Sequence, residues 1–155
     1  MGQQIRVAAA ILSTSIVALI AYYLMDTSAG SWYSGLVKPQ FALPDWFFWL
    51  AWMLTYVFMA GALCIVWMQP ADPSKEHWVR FYFVQLIFNI TFLMFFFWLH
   101  AIFIAFINVL FLGLLVVSLI AGAYDHDRRA LYLLLPYFLS VIFTGYLVLN
   151  IWLLN

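Results

Sequence analysis

Residues 101–124 read AIFIAFINVLFLGLLVVSLIAGAY, 24 positions without one charged side chain. As a helix this segment would rise about 36 Å, enough to cross a hydrocarbon core about 30 Å thick. Four more stretches of similar character emerge on either side, at approximately 5–25, 44–68, 78–99 and 130–153. The chain has 155 residues, of which 68% are hydrophobic and only 8% charged, with a mean hydropathy of +1.06. A soluble domain would carry roughly a quarter charged residues. Lipid is therefore the solvent for most of this chain. The expected fold class is an all-α integral membrane protein, a five-transmembrane-helix bundle forming a single domain over residues 1–155.

Charges and prolines collect in the breaks: residues 26–43, 69–77, a near-absent turn at 99–101, and 125–129. Pro44 suits the first position of the second helix, with Asp45 at its positive end. Asp72 and Pro73 offer a cap and a first-turn proline ahead of the third. With five spans, Arg6, Lys75, Arg80, Arg128 and Arg129 fall on one side and Lys38 alone on the other. That bias puts the N-terminus in the cytoplasm, and the 26–43 loop and the C-terminus outside. The first apolar run, residues 7–25, exceeds the core of a cleaved signal, about 7–15 residues, and is read as a retained helix. Net charge is zero, so nothing favours nucleic acid. The single cysteine, Cys64, lies inside an apolar run and is read as packing.

Residues 32–56, WYSGLVKPQFALPDWFFWLAWMLTY, hold four tryptophans. Tryptophan gathers at the membrane boundary, yet Trp46, Trp49 and Trp52 run inward from the start of the second helix. That run predicts a flat aromatic surface near a membrane mouth, suited to a flat ligand. Trp49, Trp52 and Tyr56 recur at three- and four-residue steps and share one face. Gln85 and Asn89 share a face of the third span, and Phe92 and Phe96 continue it. Such a pair can bond neighbouring helices, orient a ligand in an aromatic pocket, or do both. Asn108, Thr144 and Asn150 read as bonds between helices. Ala10, Thr14 and Ala18 form a small-residue stripe, which allows close approach within the bundle or between two copies. Asn89-Ile90-Thr91 matches a glycosylation sequon but lies mid-membrane, and Asp125-His126-Asp127 reads as a solvated turn. No carboxylate pair is placed for acid–base work, no metal site is expected, and no buried ionisable group favours an ion-coupled transporter.

Taken together these residues resemble the TspO/MBR family, the tryptophan-rich sensory proteins of bacteria and the mitochondrial translocator protein. The first-loop and second-helix signature is matched by Trp32, Tyr33, Leu36, Lys38, Pro39, Phe41, Pro44, Trp52, Tyr56 and Met59. The third-helix signature is similar to Gln85, Leu86, Asn89 and Phe92 with Phe95, Phe96 and Phe97. The fifth-helix signature is matched by Leu133, Leu134, Pro136, Tyr137, Phe143, Leu147 and Asn155. The resemblance implies a five-helix bundle, often a homodimer, with a pocket covered by the first loop. It implies binding of tetrapyrroles such as protoporphyrin IX and haem, or of other flat hydrophobic molecules including benzodiazepine-site drugs. Porphyrin or haem would be ligands, and no cofactor is required. The implied role is tetrapyrrole handling, stress sensing or transport. The alternatives are a light- and oxygen-dependent porphyrin-degrading enzyme with Trp52 as redox residue, and a structural membrane protein whose aromatics only pack.

On the family pattern Trp52, Asn89 and Phe92 line the cavity, Pro44 shapes the lid, and Trp32 and Lys38 belong to it. Trp49, Tyr56, Gln85, Phe96, Pro136, Tyr137, Ser140, Phe143 and Thr144 complete the ligand-binding candidates. Several positions depart from the pattern. Leu43 replaces the first proline of a pair, Ala60 a glycine, and Phe92 a tryptophan. Ser140 stands where many members carry tryptophan, which weighs against degradation, and Val148 replaces an asparagine. No Lys or Arg follows Tyr146, so a weak cholesterol-contact pattern is missing and cholesterol binding is not expected.

Overall fold

The structure, a computed structural model, describes residues 2–28, 32–40 and 44–155, excluding the side chains of 26–28, 45, 48 and 49. It contains helices α1 (Gln3–Ser28), α2 (Asp45–Met68), α3 (Pro73–Leu93), α4 (Ile102–His126) and α5 (Arg128–Leu154). Each is long and apolar enough to cross a membrane. No strand occurs among the described residues. The chain is thus the expected all-α five-span membrane protein.

The helix ends follow local chemistry. Pro44 precedes α2 in an extended conformation rather than opening it, and its carbonyl accepts the Phe47 N–H at 2.9 Å. Helix α3 begins at Pro73, five residues ahead of the expected start. The proline ring presets the first turn, so the polar segment Ser74 to His77 winds into the helix although it is not apolar. Asp127, in the turn between α4 and α5, also caps α5: its Oδ1 accepts the Arg129 N–H at 2.8 Å. Its Oδ2 accepts from Gln69 Nε2 at 3.3 Å. Arg6 and Lys75 donate to the carbonyls of Trp67 and Gln69, at 3.1 and 2.7 Å. Both cations thereby sit at the negative end of α2.

Neighbouring helices run in the order α1, α2, α5, α4, α3, with α3 closing the ring on α1 and also touching α2. Outward faces carry large apolar side chains such as Leu12, Leu19, Leu114 and Leu139, all exposed and facing the bilayer. Inward faces carry small or polar groups at the crossings. Ala10 and Thr14 are buried in the chain itself, so the α1 stripe serves the bundle interior. The hydroxyls of Thr14 and Tyr82 meet at 3.0 Å, joining α1 to α3. Asn108 Nδ2 donates to Thr91 Oγ1 at 2.8 Å, joining α4 to α3. Thr144 and Asn150, expected to bridge helices, donate instead to Ser140 and Tyr146 carbonyls one turn back on α5. A threonine hydroxyl finds that carbonyl without any partner helix.

The α3–α4 turn is tight. Helix α3 widens into a π-helical turn, Met94–Trp98, and His100 takes φ 53°, the left-handed region. The Ala101 N–H then reaches back to the Phe95 carbonyl at 2.8 Å. At the other end of the pair, Trp78 Nε1 donates to the Leu119 carbonyl at 2.7 Å. The indole lies so close to Gly122 that a Cβ there would stand 2.7 Å from Trp78 Cδ1. Gly122→Ala should therefore destabilise the protein by about 1–3 kcal/mol, read as a lower midpoint of thermal unfolding in detergent. Wild-type stability in Gly122→Ala would show that the indole moves aside freely.

Candidate functional site

Gln85 and Asn89 stand one turn apart on α3 and are fully buried. Tyr137 of α5, also fully buried, completes a triad with them. Its hydroxyl donates to Gln85 Oε1 at 2.7 Å and accepts from Asn89 Nδ2 at 2.8 Å. Asn89 Nδ2 also reaches Gln85 Oε1 and the Gln85 carbonyl, at 2.8 and 2.9 Å. Gln85 Nε2 and Asn89 Oδ1 are enclosed, and no described residue gives them a hydrogen bond. Buried amide groups of this kind are normally satisfied. The two leftover groups are one donor and one acceptor.

Above the triad the aromatic side chains form a column. Trp52 of α2 stacks on Phe92 with centroids 6.1 Å apart and planes 11° apart. Phe92 stacks on Phe96 at 5.8 Å. Trp32 meets Phe96 edge-on at 5.3 Å and lies flat on the His100 ring at 4.2 Å. Tyr33 is buried against Phe96 and Phe97. Residues 32–40 thus lie over the end of the column, as a lid would. Lys38 Nζ sits 4.0 Å from the Tyr33 ring centroid. Asn155 clamps the same segment: its Oδ1 accepts the Val37 N–H and its Nδ2 donates to the Val37 carbonyl, both at 3.0 Å.

A cavity of about 200 Å³ opens between α2 and α5. Trp52, Ser140, Phe143 and Thr144 line it together with Phe47, Ala51 and Leu139. Ser140 turns its hydroxyl back to the Pro136 carbonyl at 3.0 Å, so it leaves room where a larger residue would project. Pro136 interrupts α5 one residue before Tyr137. Tyr56, expected to share a wall with Trp52, is tilted 47° from it at 6.0 Å and lines a different cavity, between α1 and α2. Successive turns of one helix face two gaps, because α2 lies between α1 and α5.

The structure therefore brings together Trp52, Gln85, Asn89, Phe92, Phe96 and Tyr137, with Trp32 and Lys38 in the segment above. Pro44 is exposed at the start of α2. The Trp49 side chain, Phe41 and Leu43 lie outside the described residues. Three contributors were not singled out as site residues. Tyr82 shares the Gln85–Asn89 face at three- and four-residue spacing, a signal that was available. His100 and Asn155 act on the lid through turn geometry and chain reversal, which no local pattern encodes.

The family model described as TspO/MBR family matches residues 8–153. The chain is 30% identical over 151 residues to a protein of Archaeoglobus fulgidus called Tryptophan-rich protein TspO, covering 97% of each. It is 27% identical over 149 residues to a protein of that name from Bacillus cereus, covering 92% of this chain and 97% of the relative. It is also 27% identical over 129 residues to Protein CrtK of Rhodobacter capsulatus, covering 83% of this chain and 81% of the relative.

The triad generates a stability prediction. A double-mutant cycle between Gln85→Leu and Tyr137→Phe, read by equilibrium unfolding in detergent, should give a coupling of about 0.6–1.7 kcal/mol. Strictly additive effects would mean that the bond between α3 and α5 contributes nothing net.

Proposed function

The chain belongs to the TspO/MBR family, and from that premise we propose that it is a membrane receptor for tetrapyrroles such as protoporphyrin IX or haem. The same site would accept benzodiazepine-site-type ligands, and the role would be tetrapyrrole handling, stress sensing or transport. The observation that carries this reading is the pairing of the Trp52–Phe92–Phe96 column with the unmatched Gln85 Nε2 and Asn89 Oδ1. A tetrapyrrole has a flat π face, ring N–H groups and carboxylate side chains. Its face would stack on Trp52, and a polar edge would engage the Gln85–Asn89 pair. Each aromatic contact of this kind is worth about 0.5–1.5 kcal/mol beyond burial.

The cavity between α2 and α5, about 200 Å³, is smaller than the roughly 300–1,000 Å³ of ligand pockets in general. A macrocycle held there would extend beyond it, toward the segment 32–40 or the bilayer. In this reading the N-terminus and the basic ends are cytoplasmic, and the 26–43 loop and the C-terminus extracytoplasmic, by the bias of five basic residues against Lys38. The α1 stripe is used within the chain, so a homodimer would have to pair through other faces.

Protoporphyrin IX titrated into detergent-solubilised protein, followed by tryptophan quenching and the porphyrin absorption band, should saturate. Asn89→Ala should weaken binding about three- to tenfold through the lost hydrogen bond. Trp52→Ala should weaken it by removing the stacking face. Saturable binding unchanged in both variants would place the ligand elsewhere, and no saturable binding would favour a purely structural protein. The same complex illuminated in air should yield no open-chain product by mass spectrometry above the free-porphyrin control. A product would favour the degradative enzyme.

A further inference from the structure

We propose that the His100–Trp32 stack is a proton-sensitive latch: when His100 takes up a proton, residues 32–40 are held more tightly over the aromatic column. The proposal rests on reading this segment as a lid, and not on which molecule lies beneath it.

The two rings lie face to face, with centroids 4.2 Å apart and planes 19° apart. Trp32 and Tyr33 also meet Phe96 and Phe97, but edge-on or tilted, and those phenyl rings carry no charge at any pH. Imidazole differs in kind, because it gains a charge between about pH 5 and 8. The face of an indole is negative, so a cation lying over it is favoured by about two- to fivefold at an exposed site. His100 is exposed and open to protons from water.

The backbone holds the imidazole in place. His100 takes φ 53°, a region that a side-chain-bearing residue keeps only when its neighbours fix it. Three bonds do so: Leu99 N–H to the Met94 carbonyl at 2.9 Å, Ala101 N–H to the Phe95 carbonyl at 2.8 Å, and Ile102 N–H to the His100 carbonyl at 3.1 Å. The imidazole thus belongs to the fixed α3–α4 turn, and Trp32 to the segment that must move if the column is to be uncovered.

Other ionisable groups at this end are Lys38 and Tyr33 in the segment, Tyr22, Tyr23 and Asp26 at the end of α1, and Asp45 at the start of α2. The side chains of Asp26 and Asp45 lie outside the described residues. Met94–Trp98, the first turns of α4 and the last turns of α5 carry no ionisable side chain. Lys38, over the Tyr33 ring, is a like charge in the same segment and opposes the latch. Carboxylate, phenol and ammonium groups ordinarily change charge outside the window of about pH 5–8, so the change within it comes from His100. The other two histidines, His77 and His126, stand at the start of α3 and the end of α4, at the opposite end of the bundle.

The test is amide hydrogen exchange on the full chain in nanodiscs without porphyrin, so failure of the tetrapyrrole reading leaves its result untouched. The Leu36 and Val37 N–H groups, bonded to the Tyr33 carbonyl and to Asn155 Oδ1, report opening of the segment. Corrected for the intrinsic effect of pH, their protection should be about two- to fivefold greater at about pH 5.5 than at about pH 7.5. His100→Phe keeps a ring without the charge and should erase the dependence. His100→Gly suits the left-handed backbone; it should lower protection at both pH values and also erase the dependence. His77→Gln combined with His126→Gln should leave the dependence as in the wild type. Equal or lower protection of the wild type in acid, a dependence that persists in His100→Phe or His100→Gly, or its loss in the variant lacking His77 and His126 would each overturn the latch.

Discussion

In hydrocarbon, pressing two apolar helix faces together gains little, because the lipid displaced is as apolar as the helix. What fixes one arrangement is close packing and the few hydrogen bonds that lipid cannot supply. The Gln85–Asn89–Tyr137 triad is the centre of that arrangement. It crosses from α3 to α5, elements separated by the whole of α4, so local chain connectivity cannot produce it. Pro136 breaks the backbone ladder just before Tyr137, where the missing N–H frees α5 to bend. With α3 and α5 in register, Trp52 of the intervening α2 meets Phe92, and the rest of the column follows.

The column and the segment above it form a continuous path of rings from mid-membrane to the end of the bundle. Each ring is large, apolar on its faces, and adjustable about only two torsions. The Asn155 clamp uses one side-chain amide to imitate a backbone pairing on both sides of Val37. It holds residues 32–40 by polar contacts at their edge while the column holds them by its rings. Opening one without the other leaves Trp32 or Val37 still attached.

Much of this was legible in the sequence. Five sparsely charged stretches of membrane length, separated by prolines and charges, define the helices because lipid tolerates few other solutions. The four-residue step from Gln85 to Asn89 marks the polar pair, and the family pattern puts Trp52 and Phe92 in one cavity lining. Helix ends were less legible: Pro73 and Asp127 extend α3 and α5 through capping chemistry, which hydropathy does not see. Partners were the least legible. Thr144 and Asn150 looked like bridges but are satisfied on α5, whereas Thr14 looked merely small and bonds Tyr82. Tyr56 shares the Trp52 face, with its ring 6.0 Å away, but lines the gap toward α1 rather than the one toward α5. Spacing identifies a face, but only the placement of the neighbouring helices decides what that face meets.

The α3–α4 pair is fastened at three heights: by the left-handed turn at His100, by Asn108 on Thr91, and by Trp78 on Leu119. Sliding one helix past the other would break all three at once, and hinging at either end is opposed by the middle bond. The pair therefore acts as a rigid stay running the full depth of the bundle. The cleft between α1 and α2 lies away from this stay.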